Sequence, residues 1–337
     1  MIPVKRVTEE TVGLSRYLLA AVLIRGANDG AAIGLVLLAV SVYGGVAAGG
    51  VLAGALTLPH VVGPLIGRLL DRGRDSRRTL ALGFVTYAVA LGSAAMLLGR
   101  APLAVVVAVV LVAGCAGPLF GGGLSSRLSS RRAIALDTGT WGVATIAGPA
   151  AAGLLAVHAG PLTAVLILCA TALASAVVTL TLPALETSGG GSKSRGVLRL
   201  FLGDRQLKRV AWCFVFAGLG TGIFPVAAPL LSTAVQHSPG SGGLLLTAYG
   251  AGSLIGSLLV AARPPTGPPL RRAGWCLAAM GLFLVGAAAA PEYELALVAF
   301  GLVGLVNGPF LAAAMEACRQ NARRLTSVLR SSSPLRA

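Results

Sequence analysis

The chain has 337 residues, of which 55% are hydrophobic and 11% charged, with a mean hydropathy of +0.85. A soluble domain carries about 25% charged residues, so this composition cannot cover a globular surface, and a soluble enzyme is excluded. The net charge of +16 does not indicate a nucleic-acid partner. It is spread over short segments between apolar blocks, not gathered into one patch.

Ten apolar spans long enough to cross a bilayer as helices can be drawn: 14–40, 45–67, 80–98, 102–124, 138–157, 162–182, 210–234, 244–262, 274–290 and 295–317. The N-terminus carries charge before its apolar run, as a signal peptide does. The run outlasts any signal-peptide core and more spans follow, so it reads as a first helix. No charge interrupts 31–67, and the turn between the first two spans is placed at Ser41-Val42-Tyr43-Gly44-Gly45, with Tyr43 at a membrane interface. Strand-period alternation is missing, so the predicted fold class is all-α integral membrane, not a β-barrel.

Loop charge sets the orientation. With the N-terminus in the cytoplasm, every basic residue except Arg25 and Arg100 falls in an inner loop or a tail, as the positive-inside rule requires. The expected location is the cell membrane, multi-pass, with both termini cytoplasmic. Trp141, Trp212 and Trp275 read as anchors at cytoplasmic helix ends. Cys115, Cys169, Cys213 and Cys276 lie within spans without metal-ligand spacing and read as small buried apolar residues. The three histidines are scattered, and no GxxxxGK[ST] sequence occurs. No catalytic site, metal or cofactor is expected.

A Gly/Ser-rich basic stretch in mid-chain divides six helices from four. The expected organisation is a six-helix bundle over 1–185, a cytoplasmic linker over 186–207, an incomplete four-helix bundle over 208–318 and a basic tail over 319–337. Leu65-Ile66-Gly67-Arg68-Leu69-Leu70 is echoed by Leu254-Ile255-Gly256-Ser257-Leu258-Leu259 at the equivalent place in the second part. Such an echo points to two related bundles, as in transporters built by duplication.

The loop after the second span reads GPLIGRLLDRGRDSRRTL. Gly67, Asp71, Arg72, Arg77 and Arg78 resemble, by type and order, the signature of the major facilitator superfamily, although Gly73 comes early and Asp75-Ser76 push the arginines outward. The resemblance implies a two-bundle helical fold, with these residues forming a charge lock at the cytoplasmic face. In the fifth span, Gly139, Gly148, Pro149 and Gly153 resemble the Gly-Pro motif found most often among the superfamily's exporters. Small residues there permit close helix contact, and the proline permits a kink. The superfamily's helices 1, 4, 7 and 10 line a central cavity, and by that resemblance Phe120, Phe216, Thr221, Phe224, Asn307 and Phe310 become cavity candidates. The superfamily has twelve helices in two sixes. Here the apolar spans stop near 317 and the following SVLRSSSPLRA is too polar to cross, so the last two helices are expected to be missing.

Ionisable residues at membrane depth are costly and face a bundle interior or a wet cavity. Arg25 and Asp29 stand four apart in the first span, on one helix face. Either Asp29 is a proton or cation site with Arg25 as its partner, or the two form a permanent structural ion pair. Asn28 adds polarity. His60 can titrate near neutral pH, as a relay or as a structural hydrogen-bonding group. The expected function is alternating-access transport of small organic molecules, a proton-coupled efflux with protons as the coupling ion and the bilayer as the other partner. The competing expectation is a truncated membrane protein that does not transport, or an assembly or binding partner.

Overall fold

In a bilayer no water satisfies exposed peptide groups, so an apolar chain crosses as helices that close their own hydrogen bonds. The computed structural model describes residues 4–59, 75–125, 127–128, 131–183, 205–263 and 266–331. Their helices run in the order α1 Val4–Tyr43, α2 Val46–Thr57, α3 Ser76–Leu97, α4 Leu103–Gly114, α5 Arg131–Ala159, α6 Pro161–Leu180, α7 Arg205–Gly222, α8 Phe224–Ala234, α9 Gly242–Ala262, α10 Pro269–Ala288 and α11 Tyr293–Ser331. Nine segments among the described residues are long and apolar enough to span. The second expected span is seen as the short apolar helix α2, and its remainder lies outside the described residues.

Local chemistry sets the helix ends. α1 stops at Tyr43 because Gly44 takes φ +72°, a left-handed conformation that glycine adopts without steric cost. The turn is therefore where the Ser41–Gly45 cluster places it, and the Tyr43 hydroxyl accepts a bond from the Gly99 amide (3.3 Å), joining this turn to the α3–α4 turn. α3 starts on Asp75, whose carboxylate caps the Arg77 amide at 3.1 Å. α6 starts with Pro161 behind Gly160 at φ +89°.

Three segments depart from the expected spans. The fourth is an α-helix only to Gly114 and reappears as a π-helical turn over Leu119–Gly123. The fifth begins at Arg131, a full two turns before the expected 138, so Asp137 lies inside the helix. The seventh is broken at Ile223 into α7 and α8, where Pro225 opens the second piece and cannot donate to the preceding turn.

The chain divides into two compact units, Met1–Gly191 with Phe224–Thr247, and Ser192–Ile223 with Ala248–Ala337. In the first, α1 packs against α2, α5 and α6, and α3 packs against α4 and α6. Phe84, Tyr87 and Phe120 form its aromatic centre, with rings edge-on at 5.6 and 5.0 Å. In the second, α10 packs on α11, where Arg272 pairs with Glu316. There α9 meets α11 through glycines, since a Cβ on Gly308 would stand 2.7 Å from the Ser253 carbonyl oxygen and one on Gly252 would collide with the Gly301 carbonyl. The expected division at 186–207 falls largely on residues outside those described.

Candidate functional site

The polar residues of the first unit gather along the seam between α1 and α5. Residues 17, 25 and 29 of α1 share a face by their i, i+4 spacing, and so do residues 137, 141 and 145 of α5. Glycine brings the two backbones together. A Cβ on Gly148 would lie 2.9 Å from the Gly30 amide nitrogen and 3.2 Å from the Asp29 Cβ, so no larger residue fits.

Arg25 is fully buried at this seam. Its Nη1 donates to Asp137 Oδ1 at 2.7 Å, to the Asp137 carbonyl at 3.1 Å and to Thr140 Oγ1. Nη2 donates to Ser125 Oγ at 3.1 Å, and Nε donates to the Phe120 carbonyl at 3.0 Å. The guanidinium also lies 4.3 Å from the centre of the Trp141 ring. Asp137 is equally occupied, accepting from Tyr17 Oη at 2.7 Å and Ser125 Oγ at 2.8 Å besides Arg25. A buried ion pair offsets its desolvation only when its remaining lone pairs and protons are also satisfied, and this one meets that condition.

The sequence expectation about Arg25 is thereby corrected. Its partner is Asp137 on α5, not Asp29 on its own helix. Asp29 instead accepts from Thr145 Oγ1 at 3.1 Å and, weakly, from Asn28 Nδ2 at 3.4 Å. Both donors are neutral, and no Lys or Arg among the described residues lies within ion-pair distance of Asp29. Asp29 and Asn28 are half-buried. Two carboxylates thus share one helix seam, one saturated by a cation and one held by neutral groups.

The other expected site residues divide by position. His60, Gly67, Asp71 and Arg72 lie outside the described residues. Arg77 donates from Nε to Asp75 at 2.9 Å and from Nη1 to the Leu182 carbonyl at 3.3 Å, while the mostly exposed Arg78 sits 3.5 Å from Asp75. Desolvation acts to raise the Asp75 carboxyl, but the bonds and charge of Arg77, with the charge of Arg78, outweigh it and hold the group below the ordinary aspartate value. Arg16 donates to the Thr181 carbonyl at 3.3 Å, and Arg127 donates to the Pro183 carbonyl and to Ser76. Three arginines therefore cover the exposed carbonyls that end α6.

In the Gly-Pro motif, Gly148 makes the α1 contact, while Gly153 faces the 240–243 backbone, 3.1 Å from the Gly243 Cα for an added Cβ. Pro149 is buried, but Gly139 borders open space. Asn307 is buried within the second unit and donates to Ser253 Oγ at 3.0 Å. Three of the expected cavity aromatics, Phe120, Phe224 and Phe310, are at most 2% exposed. They are packing residues. Phe216 is exposed, and the Thr221 side chain is outside the described residues. Trp212 and Trp275 are exposed as anchors would be, whereas Trp141 covers Arg25. Cys115 is exposed, contrary to expectation, and Cys169 is buried.

Sequence reasoning missed Asp137, Tyr17, Ser125, Thr140 and Thr145. The available signal was the i, i+3, i+8 polar spacing of Asp137, Thr140 and Thr145. It was hidden because Asp137 was counted with the loop flank.

The described helices thus fall into two units, the first of which holds a buried ion pair between α1 and α5. The chain belongs to the Major Facilitator Superfamily, which it matches over residues 17–332. It is therefore a multi-pass membrane transporter and not an enzyme. Among solved structures it resembles the nucleoside transporter NupG at 17% identity and a TM-score of 0.61, covering 88% of this chain and 80% of that one. It resembles a D-xylose-proton symporter at 15% identity and 0.64, covering 90% and 81%. A bacterial homologue of the human lysosomal transporter Spinster, inward-facing and unoccupied, gives 16% and 0.63, covering 94% and 78%. These likenesses are of fold. No curated protein matches the sequence.

Proposed function

We propose that this chain is a proton-coupled exporter of small organic molecules across the cell membrane, working by alternating access with Asp29 as the proton site. The observation that carries this reading is the Asp29 carboxylate held, among the described residues, by the neutral donors Thr145 and Asn28, with no Lys or Arg of those residues within ion-pair distance. A carboxylate on neutral donors gains and loses a proton without breaking an ion pair, and intramembrane carboxylates of this kind are typical proton relays. Arg25, Asn28 and His60 are assigned to the proton pathway beside Asp29, and Asn307 is kept as a separate substrate candidate of the second unit. Efflux is supported by the helix-5 resemblance to exporters, in which Gly148 and Gly153 take up tight contacts. Proton coupling also has a precedent in a structural neighbour that is a D-xylose-proton symporter.

In this account alternating access comes from movement of the two bundles about the linker 186–207, with both termini cytoplasmic. Gly67, Asp71, Arg72, Arg77 and Arg78 act as the charge lock at the cytoplasmic face. The test uses everted membrane vesicles with an acid interior and a panel of labelled nucleosides, pentoses and organic cations. The wild type accumulates a panel member when the gradient is applied. Asp29→Asn loses that accumulation yet still exchanges labelled for unlabelled compound across the membrane. Gradient-driven uptake that survives in Asp29→Asn contradicts the assignment.

A further inference from the structure

The α1–α5 seam contains more charge than a single proton site requires, and the surplus is the Arg25–Asp137 pair. Arg25 stands one helical turn from Asp29 on the same face of α1. A guanidinium at that spacing reaches an i+4 carboxylate readily, and a neighbouring cation favours the charged form of the acid. Yet each of the three guanidinium nitrogens of Arg25 donates elsewhere, three of the bonds going to Asp137 or to the adjacent Thr140. Its fourth and fifth go to Ser125 and to the Phe120 carbonyl in the π-helical turn.

We infer that Asp137 is a positioning residue for coupling: by engaging Arg25 it keeps that guanidinium off Asp29 and leaves Asp29 able to take up and release a proton. The inference rests on the proposed role of Asp29. Tyr17 and Ser125 donate to Asp137 and hold it in the orientation that receives Arg25. Trp141 adds a further α5 contact, its ring centre 4.3 Å from the guanidinium. Thr145, two turns further along α5, supplies Asp29 with a neutral donor in place of the arginine.

The other titratable and charged groups near Asp29 are few. α1 itself supplies Arg25 and Tyr17, and α5 supplies Asp137. Tyr87 and Cys169 stand on α3 and α6, which also pack on α1. The described parts of α2 and α8, which also pack on α1, bring no ionisable side chain. Arg25 is therefore the cation whose allegiance sets the state of Asp29.

The test needs no substrate. Purified protein with carboxyl-13C aspartate is titrated by isotope-edited infrared spectroscopy, and the Asp29 band is assigned by its loss in Asp29→Asn. Asp137→Asn releases Arg25 to Asp29 and moves the Asp29 titration midpoint to more acid pH by about 1–3 pH units. Arg25→Gln leaves the Asp29 midpoint in place and makes a second carboxyl, Asp137, titrate. The charge-balanced Arg25→Gln/Asp137→Asn double variant returns the wild-type Asp29 midpoint, and it keeps the test valid if either single variant fails to fold. An unmoved midpoint in Asp137→Asn overturns the inference, as does a double variant displaced from wild type by a pH unit or more. Absence of any titrating Asp29 band in the wild type instead defeats the proton-site reading itself.

Discussion

The α1–α5 seam and the α9–α11 seam are closed by the same device and used for opposite ends. Both depend on glycines whose missing side chains let backbones touch, Gly148 against Gly26 and Gly30 in one, Gly252, Gly304 and Gly308 in the other. The first also buries an arginine, an aspartate and a tyrosine hydroxyl. The second buries the amide of Asn307, which donates to Ser253. Close helix packing is therefore common to both seams. What sets the first apart is charge drawn into the packed interior, which is held there against its desolvation cost.

Removing the polar anchors should separate the seams most. Arg25→Ala leaves Asp137 buried without its cation, a loss of about 3–5 kcal/mol, and this variant should barely accumulate. Asn307→Ala removes one neutral hydrogen bond, worth about 1 kcal/mol. Thermal unfolding in detergent compares the two, and equal losses would erase the distinction between the seams.

Filling the glycines should affect both seams alike. Gly148→Val and Gly304→Val each force overpacking against backbone atoms, at about 1–3 kcal/mol or more. Gly139→Ala, which borders open space, should be neutral or slightly stabilising. A tolerated Gly148→Val would show that α1 and α5 are not in contact at Asp29.

The smallest effect lies outside both seams, at Asp75. Its carboxyl is held below the ordinary aspartate value by Arg77 and Arg78. A depressed value means that the stabilisation is complete at neutral pH, above the unfolded value near 4. It is lost as the pH falls through the lower folded value. Asp75→Asn keeps a capping oxygen but removes the charge, so its small melting-temperature deficit at neutral pH should close in acid. A deficit that widens in acid would reverse the sign.

Nine of the ten expected spans could be read from hydropathy among the described residues, because a bilayer admits few alternatives for an apolar run. Gly44 and Tyr43 marked the first turn for the same local reason that the structure ends α1 there. Pairing could not be read in this way. Arg25 and Asp29 are neighbours on one helix, and sequence spacing made them partners, whereas the partner is set by which face of α5 meets α1. The π-helical turn was equally hidden, since its Gly121–Gly123 run resembles any flexible transmembrane stretch. Asp137 was within sight of the fifth span and was assigned to the loop, because window hydropathy cannot tell a helix that starts at Arg131 from one that starts seven residues later.

Arg25 belongs to Asp137 and not to Asp29. Double-mutant cycles on thermal stability, pairing Arg25→Gln with Asp137→Asn and separately with Asp29→Asn, measure both couplings in one protein. The account predicts a coupling of order 1–3 kcal/mol for Arg25 with Asp137 and one near zero for Arg25 with Asp29. A larger coupling between Arg25 and Asp29 would contradict it.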